Sequence, residues 1–217
     1  MNNFKSSKLL VIILMVLDLT IAMVAIKYYR MENERFKKEI ARQFRSIAEM
    51  KVNQIVDWRH ERLSDARFLS KNQEIAYTFR YLLREPDNLH YKRLLLNNLN
   101  AMFLNGKYEA MLAVDRFGVC FFSIPDHKQT TLVNIGNTTA GKDDHGPIVM
   151  GEMNWNEQGT VRLPIKVPIL DVSSGDTLLL GHIFLIINPQ MEFFKLLQSV
   201  PMPSKTLEVL LVRREKD

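Results

Sequence analysis

The sequence predicts an α+β fold in which long helices come first and an antiparallel sheet of about five strands follows. Residues 30–70 contain neither glycine nor proline, and their apolar residues recur three or four apart, the spacing of one helix face. After residue 106 the apolar residues alternate with polar ones or form short runs between turn-forming residues, as strands do. Because helices and strands occupy separate parts of the chain, the pattern indicates the α+β class.

A long stem helix is predicted over residues 29–72, followed by shorter helices over 75–85 and 89–104. A proline ends the second helix, and Asp87 or Asn88 can cap the third. Acidic and basic residues fill one side of the stem. Its other side carries an apolar stripe that needs a partner surface, which favours a homodimer; the stripe consists of Phe36, Ile40, Phe44 and Ile47.

The strands are predicted to pair as antiparallel hairpins, the first of them closed by the turn 115–118. A short helix over 189–197 follows the last strand of this group, and one more strand is predicted over 206–212. The last run of the group is almost wholly apolar, which is typical of a buried central strand. The predicted strands are 108–114, 119–123, 148–155, 160–167 and 178–187.

An apolar segment, residues 9–26, predicts a membrane anchor with its transmembrane helix over 9–28. Eighteen helical residues rise roughly 27 Å, close to the thickness of a bilayer core. A cleaved signal peptide is the alternative, but its small-residue cleavage pattern is a poor match here. Asp18 interrupts the span and is either a tolerated polar group or a contact to another helix.

Charge and cysteine content exclude several classes of protein. The 29 basic and 24 acidic residues are interspersed, giving a formal net charge of +5, which indicates a mixed surface rather than a nucleic-acid footprint. A single cysteine, Cys120, excludes an internal disulfide framework and a cysteine-based zinc site. The basic residues flanking the anchor favour a cytoplasmic C-terminal side, but long domains cross regardless of charge, so sequence physics leaves the orientation open.

Residues 51–72 read KVNQIVDWRHERLSDARFLSKN and resemble the helix that opens the extracytoplasmic sensor region of bacterial membrane receptors. There, a Trp is followed by Glu-Arg and then by Asp-Ala. Residues 108–123, with a Val-Asp-x-x-Gly turn, resemble the first hairpin of a Cache (PAS-like) sensor domain. Residues 163–168 and the strand that ends at Asn188-Pro189 resemble the closing strands of that family, and 193–197 its exit helix.

The resemblance implies a domain order for the whole chain. Residues 1–8 are then a cytoplasmic tail, 9–28 the anchor in the bacterial inner membrane, 29–72 the stem and 73–200 the sensor module outside the cytoplasm. Residues 201–217 resemble the start of a second, membrane-proximal module. Such receptors continue into a histidine kinase, a diguanylate cyclase or a chemoreceptor coil, so the chain is expected to be the N-terminal piece of a longer receptor or a truncated product.

His60-Glu61-Arg62 is similar to the phospho-acceptor box of histidine kinases. That box continues with a proline about three residues on, whereas Leu, Ser and Asp follow here. The sequence therefore predicts that these three residues lie on a solvated face of the stem helix.

Two further motifs are incomplete. Gly136, Gly141 and Lys142 have the spacing of a phosphate-binding loop, but Asp143 stands where a Ser or Thr would bind Mg²⁺. Residues 143–145, Asp-Asp-His, are consecutive and cannot easily converge on one metal ion. No catalytic residue, metal site or cofactor is predicted.

A ligand site is predicted between the sheet and the elements that cover it, where a PAS-like fold holds small molecules. Arg162 and Lys166 share one strand face and could bind a carboxylate, although solvated positions on an outward face are the alternative. The neighbouring strands add candidate lining residues: Phe122, Ser123, Glu152, Trp155 and His182. The Arg-x-Trp-Tyr signature of amino-acid-binding Cache domains is missing, which argues against an amino-acid ligand.

The predicted function is that of a membrane-anchored extracytoplasmic sensor module, which binds a small solute or a partner and transmits the event through its stem helix. The alternative is a stand-alone membrane-anchored interaction or scaffold protein without a ligand. Neither predicts an enzyme or a nucleic-acid binder.

Overall fold

The computed structural model describes residues 3–105, 107–126, 147–155, 159–172 and 177–199, with side chains from residue 13 onward. The chain consists of two compact units, which are Met1–Asn53 and Gln54–Asp217. The helices are α1 (Asn3–Lys71), α2 (Gln73–Arg84), α3 (Leu89–Leu104) and α4 (Phe193–Gln198). The strands are β1 (Ala110–Asp115), β2 (Cys120–Ile124), β3 (Val149–Met150), β4 (Asn154–Trp155), β5 (Val161–Asp171) and β6 (Leu178–Ile187). The predicted helix-then-sheet order is confirmed.

Helix α1 is longer than the predicted stem, because the predicted anchor and stem belong to one helix. In the first unit its large apolar side chains are exposed from Ile13 to Ile26. Further along, three exposed ion pairs at helical spacing join Glu34 to Lys37, Glu39 to Arg42 and Arg45 to Glu49, and such pairs add little stability. Among the residues that the structure describes, none of the helices combines the length and the hydropathy that a membrane crossing requires.

Asparagine side chains cap the two helices that follow. The Asn72 Oδ1 accepts hydrogen bonds from the backbone N–H groups of Glu74 and Ile75 at 2.9 and 3.3 Å. This cap starts α2 two residues before its predicted start. Asn88 caps α3 in the same way, which decides between the two predicted candidates. A cap of this kind typically contributes about 1 kcal/mol, because it satisfies N–H groups that the helix leaves without partners.

The sheet has the order β2-β1-β6-β5-β3, and each of these neighbours is antiparallel. The predicted buried strand is β6, and it lies in the middle of the sheet. The single strand predicted over 148–155 is instead two short strands, β3 and β4, which both pair with β5. Pro164 explains the break: its C=O accepts from Gly151 N–H at 2.8 Å, so its ring nitrogen, which has no hydrogen, also points to that side.

Both faces of the sheet are buried. We call the face that packs on α1, α2 and α3 the helix-side face, and the opposite one the second face. A bulge in the β1–β2 pairing leaves Phe121 as the extra residue. The rings of Phe121 and of Phe79 from α2 are in edge-on contact, with their centroids 4.8 Å apart. The helix-side core includes Trp58, Leu69, Ile75, Phe79, Leu95, Met111, Ile165, Val167, Ile183 and Leu185.

Several predictions concern residues beyond the described ranges. They are most of the loop 125–147, the phosphate-loop residues 136–142, the triplet 143–145, most of the turn 156–159, the strand 206–212 and the module 201–217.

Candidate ligand-binding face of the sheet

Lys166 and His182 lie on the second face, on the neighbouring strands β5 and β6. Lys166 is 5% exposed and stands opposite Phe184, while His182 is 0% exposed and stands opposite Pro168. The two residues are therefore diagonal neighbours on adjacent strands, whose Cβ atoms are typically somewhat less than about 7–8 Å apart. Each makes an interaction of its own in the structure. The solvated position considered for Lys166 is not found.

Ser123 belongs to the same row as Lys166. It pairs with Leu112 on β1, and Leu112 pairs with Phe184 on β6, so the row crosses four strands as Ser123, Leu112, Phe184 and Lys166. Cys120, on β2, occupies the adjacent row, and burial raises the pKa of its thiol. The second face thus combines a hydroxyl, an ammonium and an imidazole with an apolar surround.

Arg162 also lies on β5, but a carboxylate already engages it. Its Nε donates to Glu109 Oε1 at 2.8 Å, and its Nη2 donates to the same oxygen. Glu109 comes immediately before β1, where its backbone N–H donates to the C=O of Ile186 at 2.7 Å. Sequence reasoning missed Glu109, because the two partners are 53 positions apart and no local pattern connects them.

The other predicted lining residues do not join this group. Phe122 pairs with Ala113 and packs against the helix-side core. Trp155 is 74% exposed on β4, at the edge of the sheet, and Glu152 is exposed in the segment between β3 and β4. The structure brings together Lys166 and His182, whereas Ser123 lies on the same face but at the far end of the row that contains Lys166.

A second polar cluster, which sequence reasoning missed, surrounds Arg62 on α1. The predicted solvated position of this residue is wrong: His60 and Glu61 are exposed, but Arg62 is 0% exposed. Its guanidinium donates to Glu192 Oε2, from the segment after β6. Burial by itself would lower the pKa of Arg62, but the charge and hydrogen bond of Glu192 raise it above its usual value.

The stem motif supplies most of this Arg62 cluster. Trp58 donates from its indole N–H to Glu192 Oε2 at 3.3 Å, and Asp65 lies 3.5 Å from the Arg62 guanidinium. Tyr108 donates to Asp65 at 2.8 Å, and burial together with this hydrogen bond raises the pKa of Tyr108 far above its usual value. The Trp, Arg and Asp of the motif therefore form a buried junction between α1, the start of β1 and the chain after β6.

A small cavity of about 240 Å³ lies between α2 and the end of β5. An ion pair between Arg80 and Asp171 crosses it, and Gln73, Tyr77 and Leu170 are among its walls. Among the described residues, no group of three His, Cys, Asp or Glu side chains could hold a metal ion.

Comparisons with known proteins establish the fold. No protein-family model and no curated protein matches the chain. A domain of a protein assigned to the sensory box/GGDEF family, from Vibrio parahaemolyticus, is 19% identical with a TM-score of 0.50, over 76% of this chain and 64% of that one. The extracellular domain of a protein assigned as the histidine kinase vpHK1S-Z8 is 17% identical with a TM-score of 0.49, over 75% and 60% of the two chains. The sensor domain of the Vibrio cholerae histidine kinase DctB is 12% identical with a TM-score of 0.47, over 70% and 57%.

The chain spans less than two thirds of the length of each of these structures. Two of these structures are described as the sensor domain and the extracellular domain of histidine kinases. At these identities the likeness concerns the fold, and it confirms the expectation drawn from the sequence: the chain folds like a Cache (PAS-like) extracellular sensor domain.

Proposed function

We propose that this protein is the extracytoplasmic sensor module of a bacterial signal-transduction receptor, and that it binds a small carboxylate-bearing solute on the second face of the sheet. The burial of Lys166 and His182 on adjacent inner strands carries the proposal. A buried ammonium costs several kcal/mol of desolvation, which packing alone gives no reason to incur. On the helix-side face the same strands are mainly aliphatic, and the charged residue at the end of β5, Asp171, is ion-paired with Arg80 of α2.

The chemistry of the second face favours an anionic group on a partly apolar molecule. Lys166 offers a point charge with three donors, and His182 offers a ring nitrogen that can donate. Phe184 stands between the Lys166 and Leu112 positions and provides an apolar contact surface. Glu109 engages Arg162, which is partly exposed, whereas Lys166 is buried in the second face, so Lys166 is the proposed carboxylate partner.

Thermal unfolding of the 217-residue chain in detergent micelles tests this proposal. Acetate, benzoate, succinate and citrate are compared with sodium chloride at equal ionic strength. A ligand present at about 100 times its Kd raises Tm by roughly 5–10 °C for a chain of this size. Lys166→Gln is expected to reduce the rise by about half or more, because a tenfold weaker ligand stabilises the folded chain about half as much at the same concentration. The exposed Lys195→Gln on α4 is the matched control and is expected to retain it.

Two results would count against the ligand. One is an equal rise in Tm for wild type and Lys166→Gln. The other is no rise with any of the four carboxylates, which would favour an anchored interaction protein without a ligand.

We also propose that residues 9–28 anchor the chain in the inner membrane. The apolar side chains from Ile13 to Ile26 are exposed, and a bilayer is the environment that covers such a surface. A periplasmic reporter enzyme fused after Asp217 is expected to be active and a cytoplasmic reporter inactive. Activity of the cytoplasmic reporter alone would contradict export, and recovery of the chain in the soluble fraction would contradict the anchor.

The stem stripe is proposed to pair with a second copy of the chain. Phe36 and Phe44 are exposed on α1 and, with Ile40 between them, lie along an i±4 ridge of the kind by which helices pack. Single cysteines at positions 36, 40, 44 and 47, in a Cys120→Ser background, are expected to form disulfide-linked dimers in membranes. A cysteine at Lys37 is the control on the charged face. If no stripe position cross-links, the dimeric stem is wrong.

A further inference from the structure

Glu192 connects the chain that leaves the sheet with the helix that enters it. It stands between β6 and α4, and its side chain is half exposed. Its Oε2 accepts from the Arg62 guanidinium and from the Trp58 indole N–H. The contact therefore joins residues 130 and 134 positions apart in the chain.

Arg62 has other partners besides Glu192. The Asp65 and Glu61 carboxylates lie 3.5 and 3.9 Å from its guanidinium nitrogens. The rings of Trp58 and Tyr108 lie 5.8 and 5.7 Å from its guanidinium carbon, within range of a cation–π interaction. These groups would still compensate part of the buried charge if Glu192 moved away, so release of Glu192 does not require Arg62 to leave its position.

The segment that carries Glu192 depends on such contacts for its position. Helix α4 has six residues, too few to be stable by itself. Phe193 packs on the Trp58 ring at a centroid distance of 4.8 Å, and Glu192 adds the charged contact beside it. Strand β6 carries His182 on the second face and leads directly into this segment. A change at the second face therefore has a short covalent route to Glu192.

We propose that Glu192 is a conformational latch, whose contact with Arg62 and Trp58 fastens the exit of β6 to α1 and whose release loosens that part of α1. The latch rests on the proposed sensor function, for which it supplies the step between the second face and the stem helix. Its closed form is the arrangement seen here, and its open form leaves Arg62 with Asp65, Glu61 and the two rings.

Hydrogen–deuterium exchange on the 217-residue chain in detergent micelles tests the latch without a ligand. Glu192→Gln keeps the size of the side chain but removes its charge. Exchange of the backbone amides in residues 54–66 is expected to become about tenfold faster, because a charge-assisted contact on that stretch of helix is lost. Residues 73–84, in α2, are expected to exchange at the wild-type rate. Asp57→Asn removes an exposed carboxylate from the same stretch of α1 and is expected to change neither.

Trp58→Phe provides a second, independent variant. It removes the indole N–H but keeps a ring for the contact with Phe193, so a smaller acceleration of about threefold is expected in residues 54–66. Unchanged exchange in residues 54–66 of both variants would overturn the latch. Equal acceleration of 54–66 and 73–84 would also overturn it, because Glu192 would then stabilise the whole unit. If the wild-type chain binds none of the four carboxylates but exchange in residues 54–66 accelerates as expected, the proposed ligand alone is contradicted and the latch stands.

Discussion

The two faces of the sheet are both buried, yet they are built from different chemistry. Strands β1, β6 and β5 send alternate residues to each side. On the helix-side face these are mainly apolar, as at Met111, Ile183 and Ile165. The charged exception, Asp171 at the end of β5, is paired with Arg80 of α2. On the second face, Lys166 and His182 are buried among apolar residues.

This difference indicates separate roles for the two faces. Aliphatic packing on the helix-side face is sufficient to hold the sheet against the helices, because apolar burial is non-directional and needs no partner groups. Burial of charged and titratable groups is costly, so their presence on the second face indicates a requirement other than packing. Four experiments would break or sharpen this comparison.

The largest expected effect comes from truncating a matched pair of phenylalanines. Phe79 of α2 packs on the helix-side face, and Phe184 of β6 lies on the second face. Phe79→Ala is expected to lower the free energy of unfolding by about 4 kcal/mol, since it leaves a dry cavity and removes the edge contact with Phe121. Phe184→Ala is expected to cost about 3 kcal/mol, because the polar neighbours Lys166 and His182 let water enter the space. Urea unfolding of the 217-residue chain in micelles measures both. The reverse order would show that the second face is the drier core.

Gly181→Ala tests how closely the strands and α2 approach on the helix-side face. A Cβ there would lie 2.2 Å from the backbone oxygen of Val114 and 3.0 Å from Phe79 Cε1. Because backbone atoms must move, a loss of about 2–3 kcal/mol is expected. Gly159→Ala is the control: its Cβ would meet no atom within 4 Å, but the φ of +74° makes about 1 kcal/mol of strain the expected cost. Equal losses would mean that the close approach is relieved by local shifts.

Lys166→Gln is expected to change stability by about 1 kcal/mol or less, since relief of desolvation offsets the interactions lost with the charge. Carboxylate binding is expected to fall at least about tenfold, the loss that follows removal of one charge-assisted contact. Urea unfolding and titration with the bound carboxylate measure the two quantities on the same sample. A large loss of stability with intact binding would assign Lys166 to the structure of the second face rather than to a ligand.

Tyr108→Phe is expected to have a small effect on stability at neutral pH, about 1 kcal/mol for one lost hydrogen bond. Because the folded state raises the pKa of Tyr108, its contribution is present below the unfolded pKa of about 10 and is lost as pH rises toward the folded pKa. Above pH 10 the wild-type chain should lose about 1.4 kcal/mol per pH unit more than Tyr108→Phe does. Unfolding free energies of both chains between pH 9 and 11 measure this; parallel curves would contradict the buried, protonated phenol.

Local pattern predicted most of the secondary structure. Helix α3 begins and ends where its cap and apolar spacing indicated, and the β1–β2 hairpin forms at the predicted turn. The prediction was wrong where the decisive partner is far away in the chain. A single strand was expected over 148–155, but its partner β5 carries Pro164, which interrupts the pairing. The sequence of 148–155 does not contain this information, because the partner strand is elsewhere in the chain.

The candidate site was predicted in part for the same reason. Alternation along β5 placed Arg162 and Lys166 on one face, and the structure agrees. Alternation shows which residues share a face but not whether that face is covered. A solvated position for Lys166 therefore stayed open, and the structure shows that Lys166 is buried. The bulge in the β1–β2 pairing and the side to which Phe122 turns also depend on register, which the sequence leaves open.

The sequence by itself determined the helix-then-sheet order, the bounds of α3, the central apolar strand and the resemblance to a sensor domain, because each rests on residues close together in the chain. Only the tertiary structure decided which polar residues meet. Arg62 faces Glu192, and Arg162 faces Glu109, across separations of 130 and 53 positions. A charge is tolerated inside a protein only when folding brings it a partner, and the choice of that partner is a property of the packed structure.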